Sequence, residues 1–301
     1  MLDLSKLTTE ARNPRSHRLS SMSISEAVAL MNDEDLEVVA CVKRAIPSIV
    51  QVIERTTRAL KEGGRIVYMG AGTSGRLGVL DAVECPPTFG VDYDTVIGLI
   101  AGGDAAFVKA IEGAEDSLTQ AAGDLKAHNL ASRDVVIGIA ASGRTPYVAG
   151  ALNYAHDLGC ATAAIVCSKD APLKDSADVT VEIVPGPEVV TGSTRLKAGT
   201  ATKMVLNMIS TVSMVQLGKV YSNYMVDVKM TNEKLVQRAH NIVCAVTSCT
   251  YEEAHEALAA AHNDVKAAIV MLLCGCTYGR AKELLADHQG KISEIEQEVV
   301  S

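Results

Sequence analysis

The sequence predicts an α/β fold: a five-stranded, parallel, doubly wound sandwich of the flavodoxin type, with N-terminal helices before it and a small all-helical bundle after it. Three observations carry that reading. Five short apolar runs recur between residues 65 and 184, each the length of a strand buried on both faces. Segments of helical period separate them, the alternation that builds a parallel sheet with helices on both sides. Beyond residue 231 the strand-like runs stop and only helical patterns remain.

Residues 1–33 are polar and mixed, and read as an arm or short helices. From Asp33 to Glu62, Leu36, Val39, Ala40, Ala45, Ile46, Ile49, Val50 and Ile53 recur at helical spacing, with Pro47 as a candidate kink. Gly63 and Gly64 punctuate the chain before the first strand, RIVYMG. DTVIGLIAGG (94–103), DVVIGIAAS (134–142), ATAAIVC (161–167) and DVTVEIV (178–184) supply the other four. Helices are expected over 75–84, 104–126 and 146–158, the first halted by Pro86 and Pro87. After Pro185-Gly186-Pro187 a polar loop leads into a long apolar helix over 198–219. Further on, TYEEAHEAL (250–258) is echoed by TYGRAKELL (277–285), each opened by a threonine suited to capping. Thr250 and Glu253 make a capping box. The expected organisation is an N-terminal segment over 1–62, a ligand-binding sandwich over 63–225 and a helical domain over 231–301.

Hydrophobic residues make up 48% of the chain and charged ones 21%, a balance able to bury a sizeable core. The net charge of −8 argues against nucleic acid or an anionic membrane surface as partner. Trp is absent and Phe occurs twice, which leaves little material for stacking on bases or sugar rings. No run of 18 apolar residues occurs, so no membrane partner is expected. The N-terminus, MLDLSKLTTEARNPRSH, lacks an apolar signal core. The eight Cys show neither disulfide-like nor zinc-like spacing, since Cys274-x-Cys276 has no partner pair. The seven His form no metal pattern; His255 and His262 read as surface or capping residues. A reduced, cytoplasmic chain without a metal centre is expected.

Gly70, Gly72 and Gly75 satisfy G-x-G-x-x-G between a strand and a helix, a dinucleotide fingerprint. That reading needs an acidic residue at the end of the next strand, where this chain has LIAGG and Asp104 comes too late. A different pattern stands out. Ser74, Gly75 and Arg76 after the first strand are echoed by Ser142, Gly143 and Arg144 after the third, followed there by Thr145. Both groups sit where a strand turns into a helix. Free N–H groups and the positive helix end favour an anion there, and hydroxyls add donors. Pro146 suits the first helical turn. The same hydroxyls would also serve as plain helix caps, but two matched loops on one sheet edge favour a phosphate. A third polar stretch, with Ser193, Thr194, Arg195 and Lys197, precedes the long helix; its cations read either as a ligand edge or as solvated surface charge.

GAGTSGRLGVLDAVECPPTFG, IAASGRTPYV and GPEVVTGSTRLKAGTATKMVLNMIS together resemble the N-acetylmuramic acid 6-phosphate etherases, bacterial enzymes built on a sugar-isomerase (SIS) phosphosugar-binding domain. LTTEARNPRSHRLSSMS, MNDEDLEVV and the C-terminal helices, similar to a ubiquitin-associated bundle, extend the resemblance to nearly the whole chain. Ser20-Ser21 departs from it, standing where the family has an acidic residue. The third motif is shared with the glucokinase regulatory proteins, which are longer and carry two SIS modules. The resemblance implies cleavage of the D-lactyl ether at C3 of N-acetylmuramic acid 6-phosphate. The products are N-acetylglucosamine 6-phosphate and D-lactate, formed by elimination and rehydration without a cofactor, in recycling of cell-wall amino sugars. It implies Glu84 and Glu115 as the catalytic pair. To the binding set of Thr73, Ser74, Gly75, Ser142, Gly143, Arg144, Thr145, Ser193, Thr194 and Lys197 it adds Glu188.

The implied chemistry makes demands. An ether oxygen leaves only when protonated, and the C2 hydrogen is removable only when the sugar ring opens to the C1 aldehyde. An acid and a base are both needed, and carboxyl groups serve where their environments differ. Val83, Cys85, Pro86 and Pro87 carry no charge, and the expected helix end disfavours an anion. Both conditions favour a protonated Glu84 as the acid. Glu115, in EGAED, reads on its own as part of a solvated acidic face; with the resemblance it is assigned to proton transfer or water activation. Which glutamate removes the C2 proton stays open. From Ser74 to Glu84 a helix rises about 15 Å, further than one small sugar phosphate spans. Either the phosphate rests on Ser142–Thr145 or Glu84 serves a ligand held by another subunit, so a homodimer with the site near its interface is expected. An aldose–ketose isomerase and a phosphosugar-sensing regulator are the competing readings, separable by D-lactate release and by turnover.

Overall fold

Each apolar run becomes a strand, because a chain segment without polar side chains satisfies its backbone groups most completely inside a sheet. The structure, a computed structural model, describes residues 8–230 and 232–300. Residues 1–7 of the expected N-terminal segment and Thr231, where the helical domain was expected to begin, lie outside the described residues. The strands are β1 (Ile66–Gly70), β2 (Val96–Ile100), β3 (Val135–Ala140), β4 (Ala161–Val166) and β5 (Val179–Glu182). They pair in the order β2-β1-β3-β4-β5, all parallel, with Ile66 opposite both Val96 and Val135, and Val135 opposite Ala161. This is the flavodoxin order, and it places the reversal of strand order between β1 and β3, where open α/β sheets hold their ligands.

The helices that flank the sheet are α1 (Ile24–Lys61), α2 (Gly72–Phe89), α3 (Ala105–Val108), α4 (Gln120–Ala127), α5 (Pro146–Asp157) and α6 (Lys197–Gln216). On one face Val67, Met69, Val136, Ala164 and Val166 pack against Leu125 of α4 and Tyr147, Val148 and Leu152 of α5. On the other, Tyr68 donates to Asp81 of α2 at 3.0 Å and the Cys167 thiol reaches Ala198 O of α6 at 3.6 Å. α1 packs along β1, β3 and β5.

Several helix boundaries differ from expectation. α1 starts at Ile24 rather than Asp33, because Ser23 and Glu26 form a capping box. It runs on through Pro47. Of its expected apolar stripe Ala45 and Ile49 are buried, while Leu36, Val39, Ile46 and Val50 are exposed. Pro86 and Pro87 do not end α2, which continues to Phe89. Proline's φ is itself helical, so the pair removes two amide donors without forcing the backbone out of the helix. The helix expected over 104–126 is broken into α3 and α4 with a 3₁₀ turn at Ala114–Asp116 between them. Arg76 captures the carbonyls of Ala106 and Phe107 at 2.8 and 2.7 Å, which a continuing helix would need. Gly113 then turns the chain at φ +74.

The chain divides into two compact units, Met1–Val83 with Asp94–Ser210, and Glu84–Tyr93 with Thr211–Ser301. The sheet and its cavities belong to the first. The second holds an unanticipated hairpin, β6 (Val220–Tyr221) and β7 (Tyr224–Met225), and five helices, α7 (Glu233–Thr247), α8 (Tyr251–Ala260), α9 (Val265–Cys274), α10 (Tyr278–Asp287) and α11 (Ile292–Val300). Thr250 and Glu253 form the expected capping box, and Thr277 caps α10. His255 is exposed, as expected, and its Nδ1 lies 3.2 Å from Nε2 of the buried His240. Among the described residues no single helix is long and apolar enough to cross a membrane.

Candidate functional site

A cavity of about 220 Å³ opens in the first unit beyond the carboxyl ends of β1 and β3. Its walls come from the two loops that the sequence marked. Thr73 and Ser74 follow β1, and Ser142 and Thr145 follow β3. Gly75 and Gly143 beside them shape the turns instead of lining the cavity. A β-carbon on Gly75 would lie 2.7 Å from Gly70 O and 2.6 Å from Ile100 Cγ1, so the tight strand-to-helix crossing itself requires glycine. Gly143 turns at φ +67 with Ala171 Cβ 2.2 Å from where its own β-carbon would sit. This close packing explains the dinucleotide-like spacing.

Thr73, Ser74, Ser142, Thr145 and Thr194 all line this cavity, and their hydroxyls bond to no other side chain or backbone group among the described residues. Thr145 is the N-cap residue of α5 yet makes no side-chain cap bond. The plain capping role therefore does not account for it. The first amides of α2 and α5 lack partners within their helices, so two helix starts and a ring of free hydroxyls converge on one space. Such a space suits a phosphate without any cation, and among the described residues no Lys or Arg lines it. The start of α6 is different. Glu188, 1% exposed, accepts from Lys197 N at 3.0 Å and Ala198 N at 2.9 Å, so a carboxylate of the protein already occupies that helix end. Burial pushes the Glu188 carboxyl above its ordinary range in spite of those two bonds.

Glu115 also lines the cavity, carried on the 3₁₀ turn between α3 and α4. It has no hydrogen-bond or ion-pair partner among the described residues. A second cavity, of about 210 Å³, adjoins on the far side of Glu115 and shares Ala71 and Gly72 with the first. Its walls are mostly apolar, with Ala101, Ala106, Ala110 and Ile111, and Arg76 is its one cation among the described residues. Arg76 thus borders the site and also ties down the segment that carries Glu115.

The structure brings together Thr73, Ser74, Glu115, Ser142, Thr145 and Thr194, and places the other candidates elsewhere. Gly75 and Gly143 support the turns, Arg144 is exposed and Ser193 does not line the cavity. Lys197 is buried and its ammonium donates to Glu34 at 2.6 Å. Glu84 lies in the interior of α2 on an exposed turn and belongs to the second unit. The helix end and the shielding expected around it are both absent, because the helix passes through the prolines. Thr9, Glu10 and Thr202 line the cavity and were not anticipated. Thr202 sits one turn beyond Ala198, a periodic signal that was available; Thr9 and Glu10 lie far from the sheet in sequence and carried no local signal.

Comparison with known proteins places the chain in a family. The N-terminal SIS domain of glucokinase regulatory protein matches residues 48–156, the SIS domain matches 117–212, and the C-terminal lid domain of glucokinase regulatory protein matches 222–267. The N-acetylmuramic acid 6-phosphate etherase of Francisella tularensis subsp. holarctica (strain LVS) is 56% identical over 96% of this chain and 98% of that one. The protein of the same name from Mycolicibacterium smegmatis is 53% identical over 97% of this chain and 98% of its own. The chain belongs to the N-acetylmuramic acid 6-phosphate etherase family. Within that family assignment, the ring of free hydroxyls on an SIS sheet is the part of the chain suited to a sugar phosphate.

Proposed function

We propose that this protein cleaves the lactyl ether of N-acetylmuramic acid 6-phosphate, releasing D-lactate and N-acetylglucosamine 6-phosphate, in recycling of cell-wall amino sugars. The observation that carries the reading is one cavity that unites free hydroxyls at two helix starts with the unpaired carboxylate of Glu115. The near full-length identity to etherases supports it. In this scheme the phosphate sits on Thr73, Ser74, Ser142 and Thr145, away from the start of α6, which Glu188 already fills. With the sugar in its open form, Glu115 exchanges a proton with C2, the leaving oxygen or the incoming water. Elimination across C2–C3 breaks the C3–O bond and takes up one proton on the lactate oxygen. Water then adds at C3 and a proton returns to C2, so the step balances without a redox partner.

The second carboxylate assigned from the resemblance, Glu84, does not line this cavity. An assembly in which Glu84 completes a neighbour's site accounts for that, and α1 supports such an assembly. Ile24, Val28, Leu36, Val39, Ile46 and Val50 are exposed along it, and Leu80 and Val83 are exposed on α2 just before Glu84. The proposed form is therefore a homodimer. The proposed setting is the cytoplasm, in keeping with eight cysteines that form no disulfide among the described residues.

The deciding experiment measures D-lactate release from N-acetylmuramic acid 6-phosphate by wild type, Glu115→Ala and Glu84→Ala. Release by wild type and a fall of about a hundredfold or more in Glu115→Ala are expected, the range for loss of one proton-transfer group. Full activity in Glu115→Ala would remove its catalytic role, and no release by wild type would remove the etherase reading.

A further inference from the structure

The cavity is closed on one side by residues that belong neither to the sheet nor to its loops. Thr9 and Glu10, on the 3₁₀ turn Thr8–Glu10, line it together with the matched hydroxyl loops. Glu10 has no hydrogen-bond or ion-pair partner among the described residues. Its carboxylate lies over the loop before α6, where a β-carbon on Gly192 would come within 3.1 Å of Glu10 Oε2. Thr9 is 2% exposed and its Oγ1 is sealed from water with nothing to bond. An unpaired buried hydroxyl is costly, and rotation about χ1 is the inexpensive way to find a partner in the cavity.

The arm is held in place by a buried network. Asn13 Nδ2 donates to Glu34 Oε2 at 2.7 Å and to Pro187 O at 3.2 Å, while Lys197 Nζ donates to the same Glu34 oxygen at 2.6 Å. Arg15 adds a bond to Glu34 Oε1 at 3.0 Å. A segment whose own core contribution is slight is anchored, from three residues beyond Glu10, to α1 through Glu34 and to the loop before α6 through Pro187. Such anchoring is what a binding strap needs, since a residue left on a loose terminus would lose rotational freedom on every binding event.

We propose that Thr9 and Glu10 form the sugar-facing wall of the site, with Glu10 accepting from hydroxyls of the phosphosugar carbon chain and Thr9 bonding to the same chain. The assignment rests on the phosphosugar reading above. A carboxylate repels a phosphate, so the phosphate takes the end of the cavity with the free hydroxyls and helix starts, and the polyol takes the end with Glu10. This wall distinguishes a sugar phosphate from a bare anion, and it gives the lysine of the third loop a positioning role through Glu34 in place of direct phosphate contact.

The test compares wild type, Glu10→Gln and Thr9→Val for binding of N-acetylglucosamine 6-phosphate and of inorganic phosphate by titration calorimetry, with melting followed in parallel. Glu10→Gln is expected to weaken the sugar phosphate by about tenfold or more, leaving inorganic phosphate and melting unchanged; Thr9→Val acts in the same direction, less strongly. Equal weakening of both ligands would show that the arm only shapes the cavity and would overturn the proposal. Unchanged binding of both would also overturn it. So would retained affinity with a collapse of kcat in the etherase assay, which would make Glu10 a proton-transfer group. If wild type binds neither probe, the phosphosugar reading fails and the wall fails with it; if wild type binds both and only the variants are silent, that reading stands alone.

Discussion

Lys197 shows how a single residue is diverted from the role its neighbourhood suggests. It stands in a polar helix-opening stretch, yet its ammonium is 3% exposed and spent on Glu34, whose side chain is 10% exposed. Burial alone would raise the Glu34 carboxyl; the bonds from Lys197 and Asn13 and the charges of Lys197 and Arg15 outweigh it and hold the carboxyl below its ordinary 4.5. Removing one partner leaves a buried charge uncompensated, so Lys197→Met is expected to cost about 3–5 kcal/mol in urea unfolding. The sign of the pH dependence follows from the direction of the shift. A lowered folded value means that Glu34 contributes stability above pH 4.5, lost as pH falls through the folded value. Glu34→Gln should accordingly flatten the acid limb of the stability profile below pH 4.5. An unaltered acid limb would mean that other carboxylates dominate it.

At the level of elements, two contacts hold the site in register. α2 lies directly on β2: a β-carbon on Gly98 would meet Val79 Cα at 2.5 Å. That contact is with backbone, which cannot rotate away. Gly98→Ala should therefore shift α2, with Thr73 and Ser74 at its start, and weaken inorganic phosphate binding along with stability. Arg76 works on the opposite wall. Its bonds to Ala106 O and Phe107 O replace two helical bonds and hold the segment that leads to Glu115. Arg76→Ala should lower kcat for D-lactate release more than it changes phosphate affinity, because Glu115 loses its position while the hydroxyl loops keep theirs. Equal losses in both would assign Arg76 a general structural role.

For the whole molecule, the question is where Glu84 acts. Glu84 does not line the cavity, and α1 and α2 expose apolar side chains of a kind that a second copy would cover. Mixing Glu84→Ala subunits with Ser142→Ala subunits, each inactive alone, should restore part of the D-lactate release. In a shared site, a mixed dimer keeps one intact combination of Glu84 and Ser142. Failure to recover activity in demonstrably mixed dimers would confine each site to one chain. The net charge of −8 does not oppose such an assembly, since the exposed stripe is apolar.

The sequence by itself determined the strands, their parallel order and the hydroxyl loops, because each is written in short-range pattern. An apolar run makes a buried strand, and Ser or Thr beside Gly makes a strand-to-helix turn. The capping boxes at Ser23–Glu26 and Thr250–Glu253 are likewise local, each made within four residues. Helix ends at prolines and broken helices were harder to read. Pro86 and Pro87 stay within α2, and the break after Val108 depends on Arg76, some thirty residues earlier. Only the tertiary structure decided which polar groups share the cavity. Ser142 and Thr145 reach it while Arg144 does not, Lys197 turns to Glu34, and Thr9 and Glu10 arrive from the far end of the chain. Membership of a cavity is set by packing between distant segments, and no local period encodes it.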